Sequence, residues 1–279
     1  MIHGRRTPWL FVLPAMAAIA VVAIVPMAWT AWESLHRHDL RMPWLGRPFV
    51  GLDNYVEAFS DPRFTDAFVR TAAFAAASVA LEVALGLVFA LVMSRASRGR
   101  AAIRLVVLAA WAVPTVVAAL VWRFMFEGGS RSWFADPVAA WVPIVLADAW
   151  KMTPFVALLL LAGLESIDPT LYDAGRMDGA SDWQQFREIT LPLLRPALLV
   201  AILFRALDAF RVFDVIYVMT GGGPGTATEP ISLYTFSALL QHLRFGYGSA
   251  LSMMVFLTTF VLAVLYIRLT GRQLLEAGR

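Results

Sequence analysis

Residues 171–192 read LYDAGRMDGASDWQQFREITLP, and this polar stretch interrupts a chain that is otherwise rich in apolar runs. Just before it, Asp168 offers an N-cap carboxylate and Pro169 occupies the first helical position, which together predict a short helix to about Met177. Gly179 is suited to end that helix in a left-handed conformation. We therefore expect a capped helix at the start of this stretch.

A second short helix is predicted in the same stretch. Ser181 and Gln184 have the S-x-x-Q spacing of a capping box, in which each residue's side chain binds the backbone N–H of the other. A narrow apolar stripe is predicted from Trp183, Phe186 and Ile189, which lie three residues apart. The prolines that follow are expected to re-set the chain before the next membrane span. The two helices would form a knob that fits a groove on another protein.

The composition of the whole chain indicates a membrane protein. Of its 279 residues, 59% are hydrophobic and only 15% are charged, whereas about a quarter of the residues in a soluble domain are charged. The absence of cysteine excludes disulfides, thiolate metal sites and a cysteine nucleophile. Because the net charge is only +3 and the basic residues are dispersed, nucleic acid is not an expected partner.

Six apolar segments are long enough to cross a bilayer as helices. These predicted spans are residues 9–32, 67–93, 105–126, 141–163, 193–219 and 248–270. The first segment is too long for a signal peptide and has no convincing cleavage site, so we interpret it as a retained span. The sequence therefore predicts an all-α membrane protein with six transmembrane helices.

The placement of arginine predicts the orientation of these helices. The N-terminus, residues 94–104, residues 163–192 and the C-terminal tail together hold more arginines than the remaining loops together. Since cytoplasmic loops carry the excess of basic residues, both termini and the loop at 163–192 are expected in the cytoplasm. No internal repeat is found, so the inverted repeat of many secondary transporters is missing.

Charged residues inside the predicted spans are candidates for a binding site. Span five carries four charges of alternating sign at a spacing of three residues: Arg205, Asp208, Arg211 and Asp214. Neighbouring pairs at this spacing lie within ion-pair reach on a helix. Because lipid could not cover such a surface cheaply, span five is expected to lie centrally or to border a watery cavity. The charges could be self-satisfying ion pairs or contacts to a polyhydroxylated ligand.

Spans two and four carry further polar residues. Glu82 on span two must face the helix bundle or water, either as a hydrogen-bonded structural group or in transport. On span four, the only lysine of the chain could snorkel to the interface or line a cavity. We predict that Asp148, Trp150 and Lys151 on span four line a cavity. The predicted substrate-binding residues are Asp148, Trp150, Lys151, Asp208, Phe210, Arg211 and Asp214.

No enzymatic site is predicted. The chain has no G-x-S-x-G and no H-E-x-x-H motif, and we interpret His36 and His38 as solvated loop histidines rather than metal ligands. Lys151 is not preceded by the glycines of a phosphate-binding loop, and the glycine-rich residues 221–225 have no lysine after them. We therefore expect no catalytic residue, no metal site and no ATP hydrolysis by this chain.

The polar stretch resembles the EAA loop of ABC-importer permeases. That pattern is E-A-A, three residues, glycine, nine residues and then I-x-L-P. Here Asp173, Ala174 and Gly175 stand at the E-A-A positions, with Asp in place of Glu and Gly in place of the second Ala, and Gly179 stands at the glycine. The last part of the pattern is matched by Ile189, Leu191 and Pro192. We refer to residues 163–192 as the EAA-like loop.

Other strings extend the resemblance to the sugar-permease subunits of carbohydrate ABC importers, of the maltose, trehalose and glycerol-phosphate type. They are FVGLDNYVEAF at 49–59, DAFRVFDVIYVMT at 208–220 and the T-x-G-G-P-x-x-x-T pattern at 220–228. The resemblance implies a binding-protein-dependent permease core of five helices plus an extra N-terminal helix. Residues 1–66 would be the N-terminal helix with an extracytoplasmic loop, and residues 67–279 the permease core containing the EAA-like loop.

The resemblance also implies partners. A second permease would complete a heterodimer, two ATPase subunits would use ATP and Mg²⁺, and an extracytoplasmic solute-binding protein would deliver the sugar. The chain itself would bind no cofactor and would lie, as a multi-pass protein among membrane lipid, in the cytoplasmic (inner) membrane of a bacterium or archaeon. The residues implied in ATPase coupling are Tyr172, Asp173, Ala174, Gly175, Asp178 and Gly179. The alternative is a stand-alone secondary transporter or channel that uses the intramembrane charges.

Overall fold

The computed structural model describes residues 7–95, 100–129 and 131–276. The chain folds as two compact units, the first made of Met1–Thr65 with Tyr234–Leu257 and the second of Asp66–Leu233 with Thr258–Arg279. The arginines within residues 1–6 and 96–99, and the last arginine of the tail, lie outside the described residues. The predicted N-terminal and C-terminal orientation therefore stays a prediction.

The first unit contains the first apolar helix. Helix α1 (Thr7–Ile19) continues through a π-helical turn (Ala20–Ile24) into α2 (Val25–Ser34). The segment Val12–Ser34 is long and apolar enough to cross a membrane, and its most apolar window contains no buried residue. Its apolar side chains thus remain available to lipid or to another protein. After it come a 3₁₀ turn at Pro43–Leu45 and helix α3 (Asp53–Ser60).

Hydrogen bonds order the polar loop that follows α2. The side-chain amide of Asn54 donates to the carbonyls of Ser34 at 2.8 Å and His36 at 3.0 Å. Further along the loop, the Arg41 guanidinium donates to both carboxylate oxygens of Asp39, at 2.9 and 2.6 Å. This bidentate contact holds the pKa of the Asp39 carboxyl below its usual range. The loop is therefore a defined structure built on α3.

The second unit holds most of the remaining helices. They are α4 (Pro62–Arg95), α5 (Arg100–Ala112), α6 (Thr115–Glu127), α7 (Trp141–Glu165), α8 (Pro169–Met177), α9 (Asp182–Gln185), α10 (Leu191–Ala209) and α11 (Asp214–Met219). Helix α12 (Ile231–Phe236) passes into a π-helical turn (Ser237–Gln241), and α13 (Phe245–Glu276) ends the described chain. The second unit includes α4 from Asp66 onward and α13 from Thr258 onward.

The number of membrane-spanning helices agrees with the sequence prediction. Within the described ranges, five helices are individually long and apolar enough to span a membrane, and α5 with α6 forms a bent pair that supplies a sixth. The two axes of that pair meet at 88°. The bend falls at Pro114, whose ring removes a backbone donor and disfavours helix at the residue before it. The predicted all-α membrane fold is confirmed.

Glycines let the helices of the second unit approach closely. A Cβ added to Gly86 of α4 would come within 2.6 Å of Val156 on α7, and one added to Gly163 of α7 within 2.5 Å of Ala197 on α10. Such distances are shorter than side-chain packing allows, so only glycine fits at both positions. Close packing of α4, α7 and α10 brings the polar residues of these helices within reach of one another.

Span five is not the single unbroken helix that the sequence predicts. Its helix ends at Ala209, and residues 210–213 interrupt it before α11 begins at Asp214. In an unbroken helix of 3.6 residues per turn, Asp214 would point to the face opposite Arg205 and toward lipid. A charged side chain that faces lipid is costly. The break avoids this cost, because Arg211 and Asp214 then line a cavity beside α10.

One other prediction about chain connections is also wrong. The prolines at 192 and 196 do not re-set the chain, since Asp182–Ala209 is one continuous helix with a π-helical turn at Phe186–Thr190. A π-helical turn adds a residue to the ladder and accommodates irregular hydrogen bonding. The segment between the last two predicted spans, residues 220–247, contains the short apolar helix Ile231–Gln241.

Candidate functional site

A buried ion cluster joins three helices of the second unit. Arg205 on α10 is 1% exposed, and its guanidinium donates to both carboxylate oxygens of Glu82 on α4, with Nη2 to Oε1 at 2.6 Å. Its Nη2 also donates to Oδ2 of Asp148 on α7 at 3.0 Å, and its Nη1 donates to Asp208. Ser78 on α4 donates its hydroxyl to Asp148 at 2.6 Å. These five residues form what we call the ion cluster.

Burial makes the ion cluster costly to disturb. The side chains of Arg205 and Glu82 are 1% and 0% exposed. Charges taken out of water lose hydration worth several kcal/mol each, which only pairing and hydrogen bonds can offset. The planar guanidinium serves three carboxylates at once, and the single ammonium of lysine has no such fork. The cluster therefore fixes α4, α7 and α10 in one arrangement.

A cavity of about 160 Å³ lies beside the ion cluster, and we call it the charged cavity. Its charged lining residues are Asp148, Lys151, Asp208, Arg211 and Asp214. The side chain of Asp208 is 55% exposed and belongs both to this lining and to the ion cluster. The break after α10 is what places Arg211 and Asp214 on the same cavity as Asp208. The structure thus brings most of the predicted substrate-binding residues together.

Two of the predicted substrate-binding residues do not line the charged cavity. Trp150 is exposed on α7, where its ring centroid lies 6.3 Å from that of Trp122. Phe210 is buried and packs edge-on against Phe68, with 5.5 Å between ring centroids. It lines a separate apolar cavity with Val79. Neither Trp150 nor Phe210 is among the residues that line the charged cavity.

Lys151 has a structural contact in addition to its place on the charged cavity. Its ammonium donates to the backbone carbonyls of Trp111 at 3.3 Å and Val113 at 2.5 Å. Both carbonyls lie at the end of α5, where the last turn of a helix leaves its acceptors without partners. Lys151 therefore stabilises the bend between α5 and α6.

The ion pairs that the sequence predicts along span five form only in part. Arg205 does pair with Asp208 at the spacing of three residues. Within the described part of the chain, neither Arg211 nor Asp214 forms an ion pair. Sequence reasoning also missed that Arg205 binds Glu82, although a carboxyl on an apolar span was the available signal.

The EAA-like loop has the capping interactions that the sequence predicts. Asp168 accepts a hydrogen bond from the Thr170 N–H at 2.9 Å, which lowers the pKa of the Asp168 carboxyl. Ser181 donates its N–H to Gln184 Oε1 at 2.8 Å, and its hydroxyl accepts from the Gln184 N–H, so the capping box is complete. Gly179 has φ +83°, in the left-handed region. All of these predictions are confirmed.

One side of α8 is seated on the helix that follows it. Tyr172 is half-buried, and its hydroxyl lies 3.1 Å from the Thr190 hydroxyl. Gly175 lies so close to that helix that an added Cβ would meet Ile189 Cδ1 at 3.2 Å. A small residue at position 175 therefore serves the internal packing of the EAA-like loop.

The opposite side of α8 is exposed. Asp173 and Arg176 are 70% and 66% exposed and form an ion pair of 3.3 Å one turn apart on the helix surface. Ala174 and Asp178 are also exposed. Exposed ion pairs of this kind add little to stability, so these side chains are free to exchange partners. The exposed side of α8 thus offers a small residue flanked by charges.

Comparison with known proteins identifies similar chains over nearly the whole length. Residues 82–273 match the family model described as "Binding-protein-dependent transport system inner membrane component". The trehalose/maltose transport system permease protein MalF of Thermococcus litoralis is 42% identical over 274 residues, which cover 93% of this chain and 92% of that protein. The trehalose transport system permease protein SugA of Mycobacterium tuberculosis is 37% identical, over 96% of this chain and 89% of that protein.

Another relative and a solved structure extend the comparison. The sulfoquinovosyl glycerol transport system permease protein SmoG of Agrobacterium fabrum is 36% identical, over 79% of this chain and 76% of that protein. A crystal structure of a bacterial ABC transporter involved in import of the acidic polysaccharide alginate matches with a TM-score of 0.82 at 21% identity. That match covers 95% of this chain and 94% of the other, and concerns the fold alone.

Proposed function

Because the chain belongs to the family of binding-protein-dependent transport system inner membrane components, we propose that the charged cavity carries a carbohydrate across the membrane. The chain is the membrane-spanning permease of an ABC importer and not its ATPase. Its relatives named for trehalose and maltose support a sugar as the solute.

The observation that carries this proposal is the lining of the charged cavity. Sugar hydroxyls both donate and accept hydrogen bonds, so a binding site for them needs hydrogen-bond donors and acceptors that lie close to one another. The Asp208 and Asp214 carboxylates supply acceptors, and the Arg211 guanidinium supplies paired donors. In a membrane-embedded region, charged groups that line a cavity favour a polar solute or water as its content.

The partners follow as proposals from the family. A second permease completes the pathway, two ATPase subunits bind ATP and Mg²⁺, and an extracytoplasmic solute-binding protein delivers the sugar. The exposed side of α8, with Asp173, Ala174 and Asp178, contacts the ATPase. Both termini and the EAA-like loop lie in the cytoplasm of a bacterium or archaeon. A solved relative in fold that was crystallised with an alginate pentasaccharide-bound periplasmic protein supports this kind of assembly.

In this proposal, ATP binding moves the EAA-like loop and shifts the permease between inward-open and outward-open states. Such a shift needs several kcal/mol of differential affinity between the two states. The EAA-like loop suits this task because its helices are fixed by local caps, so it can move as one piece. The tight contact of Gly175 with Ile189 would transmit that movement to α10.

Uptake into proteoliposomes tests the proposed function. The complex is purified through a tag on this chain and reconstituted, with labelled trehalose or maltose and solute-binding protein outside and ATP with Mg²⁺ inside. We expect uptake that requires hydrolysable ATP and stops with a non-hydrolysable analogue. Uptake by the chain without its ATPase, driven by a proton or sodium gradient, would instead support the secondary transporter.

Crosslinking tests the proposed contact with the ATPase. Because the chain contains no cysteine, Ala174→Cys provides a unique thiol on the exposed side of α8. Paired with cysteines placed along the ATPase surface, it should form a disulfide in the active complex. Thr65→Cys, at an exposed position outside the EAA-like loop, is the control and should form none. Failure at every ATPase position with an active complex would remove α8 from that contact.

A further inference from the structure

We infer that the charged cavity selects neutral over anionic sugars, and that Arg205 acts as a positioning residue for this selection by holding Asp208 at the cavity wall. The inference rests on the proposed function, since it names the class of carbohydrate that the cavity takes. The names of similar proteins leave the class open, because they include trehalose and maltose systems and a sulfoquinovosyl glycerol system.

The wall of the charged cavity carries more negative than positive side chains. Its charged side chains are three carboxylates and two cations, namely Asp148, Asp208, Asp214, Lys151 and Arg211. Arg205 lies behind this wall, and both oxygens of the Glu82 carboxylate accept hydrogen bonds from its guanidinium. This bidentate pair matches one positive with one negative charge. Among the described residues, the wall therefore keeps an excess of one negative charge.

The two cations differ in what they can offer a solute. Lys151 directs hydrogen bonds to the carbonyls of Trp111 and Val113, so part of its donor capacity is used within the protein. Arg211 makes no ion pair within the described part of the chain and presents its donors to the cavity. An anionic group would therefore meet one available guanidinium among three carboxylates. Like charges repel more strongly here than in bulk water, because the protein screens them less.

Arg205 holds the Asp208 side chain in place at the wall of the charged cavity. Its Oδ2 accepts from Arg205 Nη1, whereas its Oδ1 accepts no hydrogen bond from any described residue. An exposed aspartate in the last turn of a helix would otherwise sample several rotamers. Arg205 removes that freedom, because Glu82 and Asp148 hold its guanidinium in place. Since Arg205 is 1% exposed, it acts on the solute through Asp208 and not by contact.

The test must avoid the solute-binding protein, which filters sugars on the outside. We therefore place the competing sugar in the lumen of the proteoliposomes, where it meets the inward-open cavity directly. Glucose and glucuronate form a matched pair, because they share one ring and differ by a carboxylate. Both are used at equal ionic strength while the initial uptake of labelled maltose or trehalose is measured. We expect glucose to inhibit uptake, and glucuronate to require at least about a tenfold higher concentration.

Asp208→Asn tests the wall charge. The variant keeps the contacts of Arg205 with Glu82 and Asp148, so the fold should be retained. We expect it to reduce the discrimination against glucuronate to about twofold or less and to weaken inhibition by glucose. Glu127→Gln is the control, because Glu127 is a carboxylate in an exposed ion pair with Arg123 and should leave both values unchanged.

A double variant tests the positioning role of Arg205. Glu82→Met with Arg205→Met removes the buried pair and leaves the charges of the wall in place. We expect this variant to assemble. Glucuronate should still inhibit uptake more weakly than glucose does, but inhibition by glucose should be several-fold weaker than in the wild type, because Asp208 is no longer fixed. A purely structural role for Arg205 predicts wild-type inhibition by glucose in this variant. If the double variant does not assemble, Asp208→Asn decides the proposal.

The outcomes separate this inference from the proposed function. Maltose or trehalose uptake with equal inhibition by glucose and glucuronate would overturn the inference and leave the proposed function intact. Wild-type discrimination in Asp208→Asn would also overturn it, as would the absence of inhibition by either sugar. No ATP-dependent uptake of a sugar by the complete complex would overturn the proposed function, and the inference with it.

Discussion

The EAA-like loop and the ion cluster are built from contacts of very different range along the chain. In the loop, the capping box joins Ser181 to Gln184, three positions away. In the ion cluster, Arg205 binds Glu82 across 123 positions and Asp148 across 57. The geometry of the loop therefore follows from neighbouring residues, whereas the cluster forms only after α4, α7 and α10 have packed together.

This difference corresponds to the work that each region does. The loop is exposed and internally fixed, so it can move against a partner without losing its own structure. The ion cluster is buried, and a single change in it exposes several unpaired charges at once. We therefore expect changes in the cluster to affect assembly first, and changes in the loop to affect coupling with little effect on assembly.

The largest effect is expected from Arg205→Met. The substitution leaves the buried carboxylate of Glu82 and the partly buried carboxylate of Asp148 without their partner, which should destabilise the fold by about 3–5 kcal/mol. Thermal unfolding and the yield of assembled complex measure this loss. Arg195→Met, at an exposed position on the same helix, is the control and should have little effect. Equal stability of the two variants would show that the cluster does not hold the helices together.

The next effect is expected from Gly179→Leu. No atom lies within 4 Å of a Cβ added at this glycine, so the cost comes from the left-handed backbone alone, about 1–2 kcal/mol. ATP hydrolysis coupled to uptake should fall much more than the amount of assembled complex. Gly179→Asn should be tolerated better, because asparagine adopts this conformation more readily. Parallel loss of assembly and coupling would leave Gly179 with a folding role only.

A smaller effect is expected from Ser181→Ala, which removes the N-cap acceptor of α9. The cost should be about 1 kcal/mol, and hydrogen exchange at the start of α9 should become faster. Ser181→Asp restores an N-cap acceptor and should recover most of the protection. If exchange is unchanged in the alanine variant, the capping box does not stabilise this helix.

The smallest effect is expected from Arg211→Lys. Lysine keeps the charge and loses the planar fork, so uptake should fall by a factor that corresponds to about 0.5–1 kcal/mol, with assembly unchanged. Uptake is normalised to the amount of assembled complex. Wild-type uptake in this variant would remove the Arg211 guanidinium from the substrate site.

The range of the contacts also explains what could be predicted from the sequence. The N-cap at Asp168, the capping box and the left-handed Gly179 were all predicted, because each depends on residues close in sequence. The membrane spans were predicted from the length of the apolar runs. The bend at Pro114 was not predicted, although the proline was a local signal for it. The partners of Lys151 were not predicted, since they depend on how α7 packs against the end of α5.

The site was predicted in its residue types but not in its arrangement. Regular spacing suggested one uninterrupted helix, and the break after Ala209 changed the direction of every residue beyond it. Asp208 and Arg211 thus share a cavity, whereas Phe210 between them faces an apolar one. The partner of Arg205 could not be chosen from spacing alone, because Glu82 is equally compatible with many helix arrangements.

One measurement tests whether the two regions have separate tasks. ATP hydrolysed per sugar taken up, and the lumenal glucose concentration that halves uptake, are determined together for Gly179→Leu and Asp208→Asn. We expect Gly179→Leu to raise the ATP cost per sugar and to leave the glucose value unchanged. For Asp208→Asn we expect the reverse, with a raised glucose value and an unchanged ATP ratio. If both variants change both quantities alike, the separation of coupling from solute binding is contradicted.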